Sequence, residues 1–492
     1  MNSQQLAKQR IDGEGAAVAE KPKTAAKTEA VVISLYEAEK KVYPRSVSGY
    51  FTKWRWAMIW LTQLFFYGMP WLEWGGRQAL LFDLEARRFF IFNLVLYPQD
   101  LIYLAAILII SAMSLFLFTA VAGRLWCGFT CPQTVYTEIF VWIESKVEGD
   151  RAARMRLDND PWTMEKIVRK GGKHFIWIAF ALWTGFTFVG YFTPVRELLD
   201  GIANFNLGSW AIFWVLFYGF ATYGNAGFMR EQVCKYMCPY ARFQSAMFDA
   251  DTLIVTYDKE RGEPRGGRSR QADPAAAGLG SCIDCSLCVQ VCPTGIDIRE
   301  GLQYECISCG VCADVCDSVM DKMGYDKGLI RFTTPNGLEQ HWTRKQIWRR
   351  VMRPRVLVYS AILGLLCFGL LASLAMRDSF KVNVVRDRGV LSRLVEGGLL
   401  ENVYRLQIIN ATEATRHYRI TATGLEGLTV ESDGQAADGT VAVGPAEVRW
   451  LPIRLRIPDG TVSSGSHPVH FAVQDQSSSE QVSEKAVFLA PR

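Results

Sequence analysis

Eight closely spaced cysteines constrain this chain more strongly than any other feature of its sequence. They form two successive C-x2-C-x2-C-x3-C runs, the first of Cys282, Cys285, Cys288 and Cys292 and the second of Cys306, Cys309, Cys312 and Cys316. In a ferredoxin with this spacing, three thiolates wrap around one [4Fe-4S] cube and the fourth crosses to the other cube. We therefore predict one cluster on Cys282, Cys285, Cys288 and Cys316, and a second on Cys306, Cys309, Cys312 and Cys292.

Two other uses of these cysteines fit the spacing poorly. Structural zinc sites take their cysteines in pairs separated by a longer stretch, and a disulfide scaffold would have little core between eight cysteines so close together. The second run departs from the ferredoxin pattern, because Asp317 stands where proline follows the first run as Pro293. That difference concerns the stiffness of the loop and leaves the number of ligands unchanged.

Long apolar runs indicate that much of the chain lies in a membrane. Half of the 492 residues are hydrophobic, and five runs are of the order of the roughly 20 residues that a helix needs to cross the hydrocarbon core. They cover residues 56–71, 101–122, 174–192, 209–223 and 356–376. A sixth apolar piece, 89–97, is too short to span and is predicted to be interfacial or re-entrant.

The distribution of Lys and Arg gives the predicted orientation. The loop between the second and third runs is rich in both, whereas Arg196 alone lies between the third and fourth runs. We therefore place that loop and the N-terminus in the cytoplasm, and an odd number of spans sends the C-terminus to the periplasm. The same bias accounts for the net charge of +5, so we predict no nucleic-acid partner.

A second cysteine motif, C-x3-C-P, occurs twice, each time just beyond the predicted cytoplasmic end of a span. The two copies are Cys127, Cys131 and Pro132, and Cys234, Cys238 and Pro239. Proline suits the first position of a helix, so Cys131 and Cys238 are predicted to be helix N-caps. The helix macrodipole is expected to lower the pKa of a thiol at that position.

The chemistry of these four cysteines stays open between several uses. Thiolates select soft ions such as Cu(I), which supports the hypothesis that Cys127, Cys131, Cys234 and Cys238 bind copper and form the catalytic site. Disulfide cycling is less favoured, because residues four apart on a helix have Cβ atoms about 5–6 Å apart, beyond the usual disulfide range. Packing of helix ends and a shared structural metal are the remaining alternatives.

After residue 378 the pattern changes to short alternating segments separated by Gly, Asp and Asn. Seven strands are predicted, at 402–410, 416–423, 427–432, 440–443, 446–457, 468–474 and 485–489. Seven short strands over about a hundred residues are typical of an immunoglobulin-like sandwich. The stretch 248–280, rich in Gly, Arg, Pro and Ala, is interpreted as a linker into the ferredoxin segment.

These patterns predict a multi-domain membrane protein. A disordered or interfacial tail over residues 1–50 precedes four transmembrane helices, with the two C-x3-C-P motifs, over 51–250. A bacterial-type ferredoxin domain covers 251–350, a fifth transmembrane helix 351–378, and a periplasmic immunoglobulin-like domain 379–492. The predicted fold class is thus a five-helix transmembrane region joined to a cytoplasmic ferredoxin-like domain with two [4Fe-4S] clusters and a C-terminal all-β sandwich.

Nearly the whole chain resembles the FixG/RdxA/CcoG family of cytochrome c oxidase accessory proteins. The resemblance rests on the five predicted spans, the two C-x3-C-P motifs, the segment 292–306 that links the two cysteine runs, and the closing sandwich. It implies a polyferredoxin of the bacterial inner membrane that reduces Cu(II) to Cu(I) during maturation of the cbb3-type cytochrome oxidase. The implied partners are membrane lipid, copper and subunits or assembly factors of that oxidase; self-association stays open.

Two other functions remain in competition with cupric reduction. The chain could relay quinol electrons to a partner, as in the related NapH and NosR membrane ferredoxins. It could also be an assembly scaffold whose clusters only stabilise the fold. The sequence contains no G-x-G-x-x-G fingerprint opening a helix, no P-loop and no G-x-S-x-G elbow, so the electron donor is unidentified.

Overall fold

The structure, a computed structural model, describes residues 41–272, 278–387, 392–433, 435–436, 439–478 and 480–491. The predicted disordered tail lies outside these residues up to position 40. All elements described here belong to the unit Val42–Arg492. Residues 42–49 contact the first cysteine run and a later helix, Arg151–Asn159. The backbone N–H of Arg45 donates to the Gln290 carbonyl at 2.9 Å, and the Tyr43 hydroxyl donates to Asp158 at 2.6 Å.

Helices form most of the chain before residue 248. They are α1 (Tyr50–Gly68), α2 (Leu101–Ala122), α3 (Leu125–Phe129), α4 (Pro132–Glu148), α5 (Arg151–Asn159), α6 (Met164–Val189), α7 (Val195–Ala203), α8 (Ser209–Thr222) and α9 (Pro239–Met247). Two π-helical turns, Tyr223–Met229 and Val233–Met237, carry the chain from α8 to α9. Such turns are rare and occur often at functional sites; here they precede and contain Cys234.

The five predicted apolar runs all fall on helices, namely α1, α2, α6, α8 and a later helix α15 (Pro354–Ala375). Two of them are long and apolar enough to cross a membrane by length and composition: Pro98–Ala122, which includes α2, and α15. Their surfaces are almost entirely unburied within the protein. The other three are shorter or carry charges in their first turns, so the five-span arrangement stays a prediction.

The segment 89–97 was expected to be an interfacial or re-entrant piece, and the structure shows strands there instead. The region between α1 and α2 contains β1 (Glu73–Trp74), β2 (Arg77–Gln78), β3 (Leu80–Asp83), β4 (Arg88–Ile91) and β5 (Leu94–Leu96). β3, β4 and β5 form an antiparallel sheet. Its apolar face packs on Ile409 and Ala446 of the C-terminal domain, which accounts for the apolar character of the segment without a membrane.

The ferredoxin region is closed by a pair of strands that are distant in sequence. β6 (Ile254–Tyr257) pairs antiparallel with β7 (Ile330–Thr333), so the stretch interpreted as a linker contributes a strand to this domain. Between and after them lie α10 (Lys259–Gly262), α11 (Leu287–Gln290), α12 (Val311–Met323), α13 (Pro335–Glu339) and α14 (Arg344–Val351). The core between the strands and α12 includes Val255, Ala313 and Met320.

The C-terminal domain is a two-sheet sandwich. Its strands are β8 (Phe380–Arg386), β9 (Arg393–Val395), β10 (Leu399–Asn410), β11 (Arg416–Thr423), β12 (Thr429–Ser432), β13 (Thr440–Val443), β14 (Val448–Pro458), β15 (Gly465–Asp475) and β16 (Gln481–Ala490). One sheet has the order β12-β14-β10-β8, with β9 also paired to β10, and the other has the order β13-β11-β15-β16. The seven predicted strands are confirmed, and the sequence analysis missed β8 and β9.

The sandwich is attached to the start of α2 as well as to the end of α15. Arg377 donates to the buried carboxylate of Asp100 at 2.7 Å, and Lys381 pairs with the same carboxylate. The Tyr97 hydroxyl donates to the Asn410 carbonyl at 2.9 Å. These contacts hold the start of α2 and the end of α15 against the sandwich.

Candidate redox site

The structure brings Cys282, Cys285, Cys288 and Cys316 around one small cavity. Cys292, Cys306, Cys309 and Cys312 surround a second small cavity, and Cys288 lines both. These are the two quartets that the spacing predicts, including the crossing of the fourth cysteine of each run.

The backbone forms the two cysteine loops in the same way. In each run, the residue before the second cysteine and the residue after it have positive φ, namely Asp284 and Ser286 in the first run and Ser308 and Gly310 in the second. Such left-handed residues are uncommon outside glycine, so their recurrence at matching positions is a specific property of the loops. A short helix then follows each loop, α11 in the first run and α12 in the second.

The electrostatic environment of the two quartets calls for a compensating cation. Burial raises the pKa of Cys288 to about 11 and the pKa values of Cys306 and Cys316 to about 12, and neighbouring thiolates raise them further. Thiolates at such positions are unfavourable unless a metal charge offsets the desolvation. The all-sulfur donor sets of the two cavities therefore fit [4Fe-4S] clusters, which are held by four Cys thiolates each.

The four C-x3-C-P cysteines also lie close to one another. Cys131 is the N-cap of α4 and Cys238 the N-cap of α9, and a proline follows each at the first helical position, as predicted. Cys127 and Cys234 lie four residues before them, and their thiols interact electrostatically with the other members of the group. The structure thus brings the two copies of the motif together into a four-cysteine site.

For Cys131, the expected lowering of the thiol pKa is wrong. Burial raises the pKa of Cys131 and outweighs the hydrogen bonds donated by the backbone N–H groups of Thr134 and Gln133. Burial and the adjacent Cys131 thiolate raise the pKa of Cys127 to about 11. The macrodipole effect is confined to the first turn and is modest, so desolvation wins unless a soft cation is bound.

The sulfur separations bear on which cation would fit. Among the described residues, no three His, Cys, Asp or Glu side chains are close enough together to hold one metal ion. This holds for the four-cysteine site and for the two quartets alike. The Cys127 thiol is positioned by a buried amide, since it donates to Gln244 Oε1 at 3.4 Å.

Arg124 joins the four-cysteine site to the second cysteine loop. Its guanidinium is 3% exposed and donates to the carbonyls of Tyr304 and Ala241. Tyr304 precedes Cys306 by two residues, and Ala241 follows Cys238 by three. The guanidinium also interacts electrostatically with the thiols of both sites, so one cation compensates charge on each.

Gly128 brings the two sites into direct contact. A Cβ atom at Gly128 would lie 2.7 Å from the Ile307 carbonyl oxygen and 2.8 Å from the Cys309 Cα. The backbone of α3 therefore touches the loop of the second quartet, and Cys127 packs in the same apolar cluster as Cys309. Arg55 covers this contact, since its Nε donates to the Gly128 carbonyl at 3.1 Å.

The sequence analysis missed Arg124, Gly128, Arg55 and Gln244 as parts of the site. Arg124 lies in the cation-rich loop after the second apolar run, and its position three residues before Cys127 was a usable signal. Arg55 and Gln244 carry no comparable signal, because their roles depend on contacts with segments more than 70 residues away in sequence.

Comparisons with known proteins agree with this arrangement. A family described as a 4Fe-4S dicluster domain matches residues 229–335, a 4Fe-4S binding domain matches 104–148, and an IG-like fold at the C-terminal of FixG matches 370–491. The second of these matches contains Cys127 and Cys131. The chain therefore carries 4Fe-4S binding domains and an immunoglobulin-like C-terminal domain.

Three curated proteins are similar over nearly their full length. The nitrogen fixation protein FixG of Rhizobium meliloti is 36% identical, with 93% of this chain and 94% of that protein covered. Protein RdxB of Cereibacter sphaeroides is 37% identical, with 92% and 97% covered. Protein RdxA of the same organism is 37% identical, with 90% and 93% covered.

Proposed function

Because the chain belongs to the FixG/RdxA family of 4Fe-4S proteins, we propose that it reduces Cu(II) to Cu(I) for assembly of the cbb3-type cytochrome c oxidase. The proposal places it in the bacterial inner membrane, with oxidase subunits or assembly factors as partners. A [4Fe-4S] cluster supplies electrons singly when bound, and reduction of one Cu(II) ion to Cu(I) consumes one electron. The stoichiometry of donor and substrate therefore matches.

The proposed ligands are the two quartets found around the cavities. Cys282, Cys285, Cys288 and Cys316 hold one cluster, and Cys292, Cys306, Cys309 and Cys312 hold the other. The four-cysteine site, Cys127, Cys131, Cys234 and Cys238, receives the electron and binds the copper substrate through its soft sulfurs. Because these thiols are buried, their thiolate forms are unfavourable without a compensating charge. A bound Cu(I) ion would supply that charge.

The observation that carries the proposal is the contact between α3 and the second cysteine loop. Gly128 leaves no room for a side chain between them, and Arg124 hydrogen-bonds to both Cys-bearing segments. The four-cysteine site is therefore a neighbour of the second quartet. An electron on that quartet has a short path to copper bound at Cys127.

We further propose that α1, α2, α6, α8 and α15 all cross the membrane. The cation-rich loop α3–α5 and the ferredoxin region would face the cytoplasm, and the sandwich would face the periplasm. α8 has 14 residues, but it continues into the π-helical turn Tyr223–Met229, which lengthens the helical segment available to cross the membrane. Both cysteine sites then lie at the cytoplasmic face, where copper would be reduced.

Anaerobic copper titration tests the function. Cu(II) is added to dithionite-reduced, dithionite-free protein, the return of cluster absorbance is followed, and Cu(I) is trapped with a chelator. We expect about one Cu(I) per cluster electron. Replacing Cys127 and Cys131 by Ala should abolish Cu(I) formation while leaving about eight irons per chain; retained Cu(I) formation in that variant would contradict the assigned site.

One observation supports the alternative of a quinol relay. Tyr223, at the end of α8, and His174, within α6, share a hydrogen bond at 3.0 Å between the Tyr hydroxyl and the His Nδ1. Such a pair could accept protons released by a quinol. Reduction of the clusters by a quinol, combined with no Cu(I) formation, would favour the relay. A scaffold role would instead show neither activity.

A further inference from the structure

A cationic cavity lies where α14 turns into α15. It has a volume of about 370 Å³, and its lining includes Arg349, Arg350, Arg353, Gln346, Trp342 and Met352. Among the described residues, no Asp or Glu lines it. Three guanidinium groups at one opening, with no carboxylate among the lining side chains, indicate a site for an anion.

The three arginines are compensated to different degrees. Arg353 is buried and its Nη2 lies 3.0 Å from an Asp249 oxygen, so it is fixed in the wall. Arg350 approaches Asp251 at 3.7 Å with a side chain that is 56% exposed, and Arg349 has no carboxylate partner in the described part of the chain. The cavity therefore retains positive charge at its mouth, where a ligand would enter.

The cavity opens beside apolar surface that no other part of the described chain covers. Arg353 donates to the Ala120 carbonyl at 2.6 Å, which places it at the end of α2, next to the start of α15. Leu357 and Val358, one turn into α15, are 45% and 55% exposed, and Met352 at the rim is 65% exposed. An anion bound here would have apolar surface directly behind it.

We propose that this cavity binds the headgroup phosphate of an anionic phospholipid. Guanidinium groups bind phosphate through paired, charge-assisted hydrogen bonds, and basic pockets at the cytoplasmic ends of transmembrane helices bind anionic headgroups. The acyl chains would lie along the exposed face of α15. Inorganic phosphate offers the same chemistry at the arginines but makes no use of that face. The inference rests on the proposed membrane location.

Occupation of the cavity would act on the ferredoxin region. Asp251, the partner of Arg350, also accepts a hydrogen bond from Asn336 of α13 at 2.7 Å, and it lies three residues before β6. The Arg353 side chain donates to the Asp251 carbonyl at 2.9 Å. A bound headgroup would thus stabilise the contacts of Asp251 and Arg353 that connect β6 and β7 of the ferredoxin region to α2 and α15.

Lipid binding by the full-length, iron-loaded protein tests the inference. Protein in neutral detergent is titrated with phosphatidylglycerol in mixed micelles, and native mass spectrometry counts bound lipid. The Arg349→Gln/Arg350→Gln variant should bind phosphatidylglycerol about tenfold more weakly, because two charge-assisted contacts are lost. The matched Arg344→Gln/Lys345→Gln variant removes the same charge from α14 outside the cavity and should bind as the unaltered protein does.

Three results would overturn the proposal. They are equal binding of phosphatidylcholine, equal loss of binding in the two double variants, and full displacement of the lipid by millimolar inorganic phosphate, which would mark a free-anion site. Iron content and chemical reduction of Cu(II) in detergent should be unchanged in both variants. A failure of lipid binding is thereby separated from a failure of cupric reduction.

Discussion

Substitution of Gly128 by alanine tests whether the contact between α3 and the second cysteine loop holds that loop in place. The added Cβ would meet the Ile307 carbonyl oxygen at 2.7 Å, the Cys309 Cα at 2.8 Å and the Cys309 nitrogen at 3.0 Å. All three are backbone atoms, so no flexible side chain can turn away. The loop must move away from α3 by several tenths of an ångström.

The expected cost follows from two opposing effects. Overpacking of a well-filled interior costs about 1–3 kcal/mol, and three backbone contacts place Gly128→Ala near the upper end of that range. Alanine is favoured over glycine in a helix by about 1 kcal/mol, which offsets part of the cost. The net destabilisation of about 2 kcal/mol corresponds to an approximately 30-fold change in a local opening equilibrium.

Iron release to a ferrous chelator measures this opening. If opening is fast relative to chelation, the release rate follows the open population, so about half of the iron should leave some 30-fold faster than in the unaltered protein. Gly171→Ala is the matched control, because Gly171 lies in α6 with no atom within 4 Å of an added Cβ. Equal release rates in the two variants would refute the reasoning.

Three further substitutions probe the surroundings of the site. The Asp314 carboxylate accepts hydrogen bonds from the Phe51 and Thr52 N–H groups at 3.0 and 2.7 Å. Asp314→Asn should lower the free energy of local opening of the first turn of α1 by about 1–3 kcal/mol, which hydrogen exchange measures as faster exchange. Arg124→Gln removes a positive charge beside the second quartet and should lower the midpoint potential of its cluster by tens of millivolts, where about 60 mV is a tenfold change in a one-electron equilibrium. An EPR-monitored redox titration measures this potential. Burial raises the pKa of Glu401, but hydrogen bonds from two arginines lower it overall, so the protection of β10 amides, taken relative to the intrinsic exchange rate at each pH, should fall as the pH falls below about 4. Glu401→Gln should remove this dependence.

The substitutions at Asp314 and Arg124 each have a matched control. Asp321→Asn alters an exposed carboxylate of the same helix α12, whose partner is the exposed Lys327, and should leave α1 unchanged. Arg124→Lys keeps the charge and should retain most of the potential. For Glu401, the sign follows from its lowered pKa: the ionised form stabilises the fold above the ordinary pKa, and protonation removes that contribution. Protection of β10, corrected for the intrinsic exchange rate, that does not fall between neutral and acidic pH would contradict this assignment.

The cluster quartets could be predicted from sequence because their geometry is local. Within each run, the first two ligands lie on one short loop and the third lies in the first turn of the helix that follows, α11 for Cys288 and α12 for Cys312. The sandwich strands were equally accessible, since alternating burial repeats along β10, β14 and β15. In both cases the pattern and the structure that it forms involve neighbouring residues.

The elements that could not be predicted depend on contacts between distant segments. The apolar run 89–97 is buried against Ile409 and Ala446, more than 300 residues away, and an isolated sequence cannot distinguish that environment from lipid. The direction of the Cys131 pKa shift was wrong for a related reason. The helix end was visible in the sequence, but the burial that outweighs it comes from packing between separate helices.

Burial of the two quartets gives the proposed electron path a direction. Cys285 of the first quartet is exposed, whereas the four cysteines of the second quartet are buried or partly buried. The loop of the second quartet touches α3 at Gly128. A donor that approaches from solvent would therefore reach the first quartet, and copper at the four-cysteine site would be reduced from the second. Because Cys288 lies at both cavities, the path between them need not cross solvent.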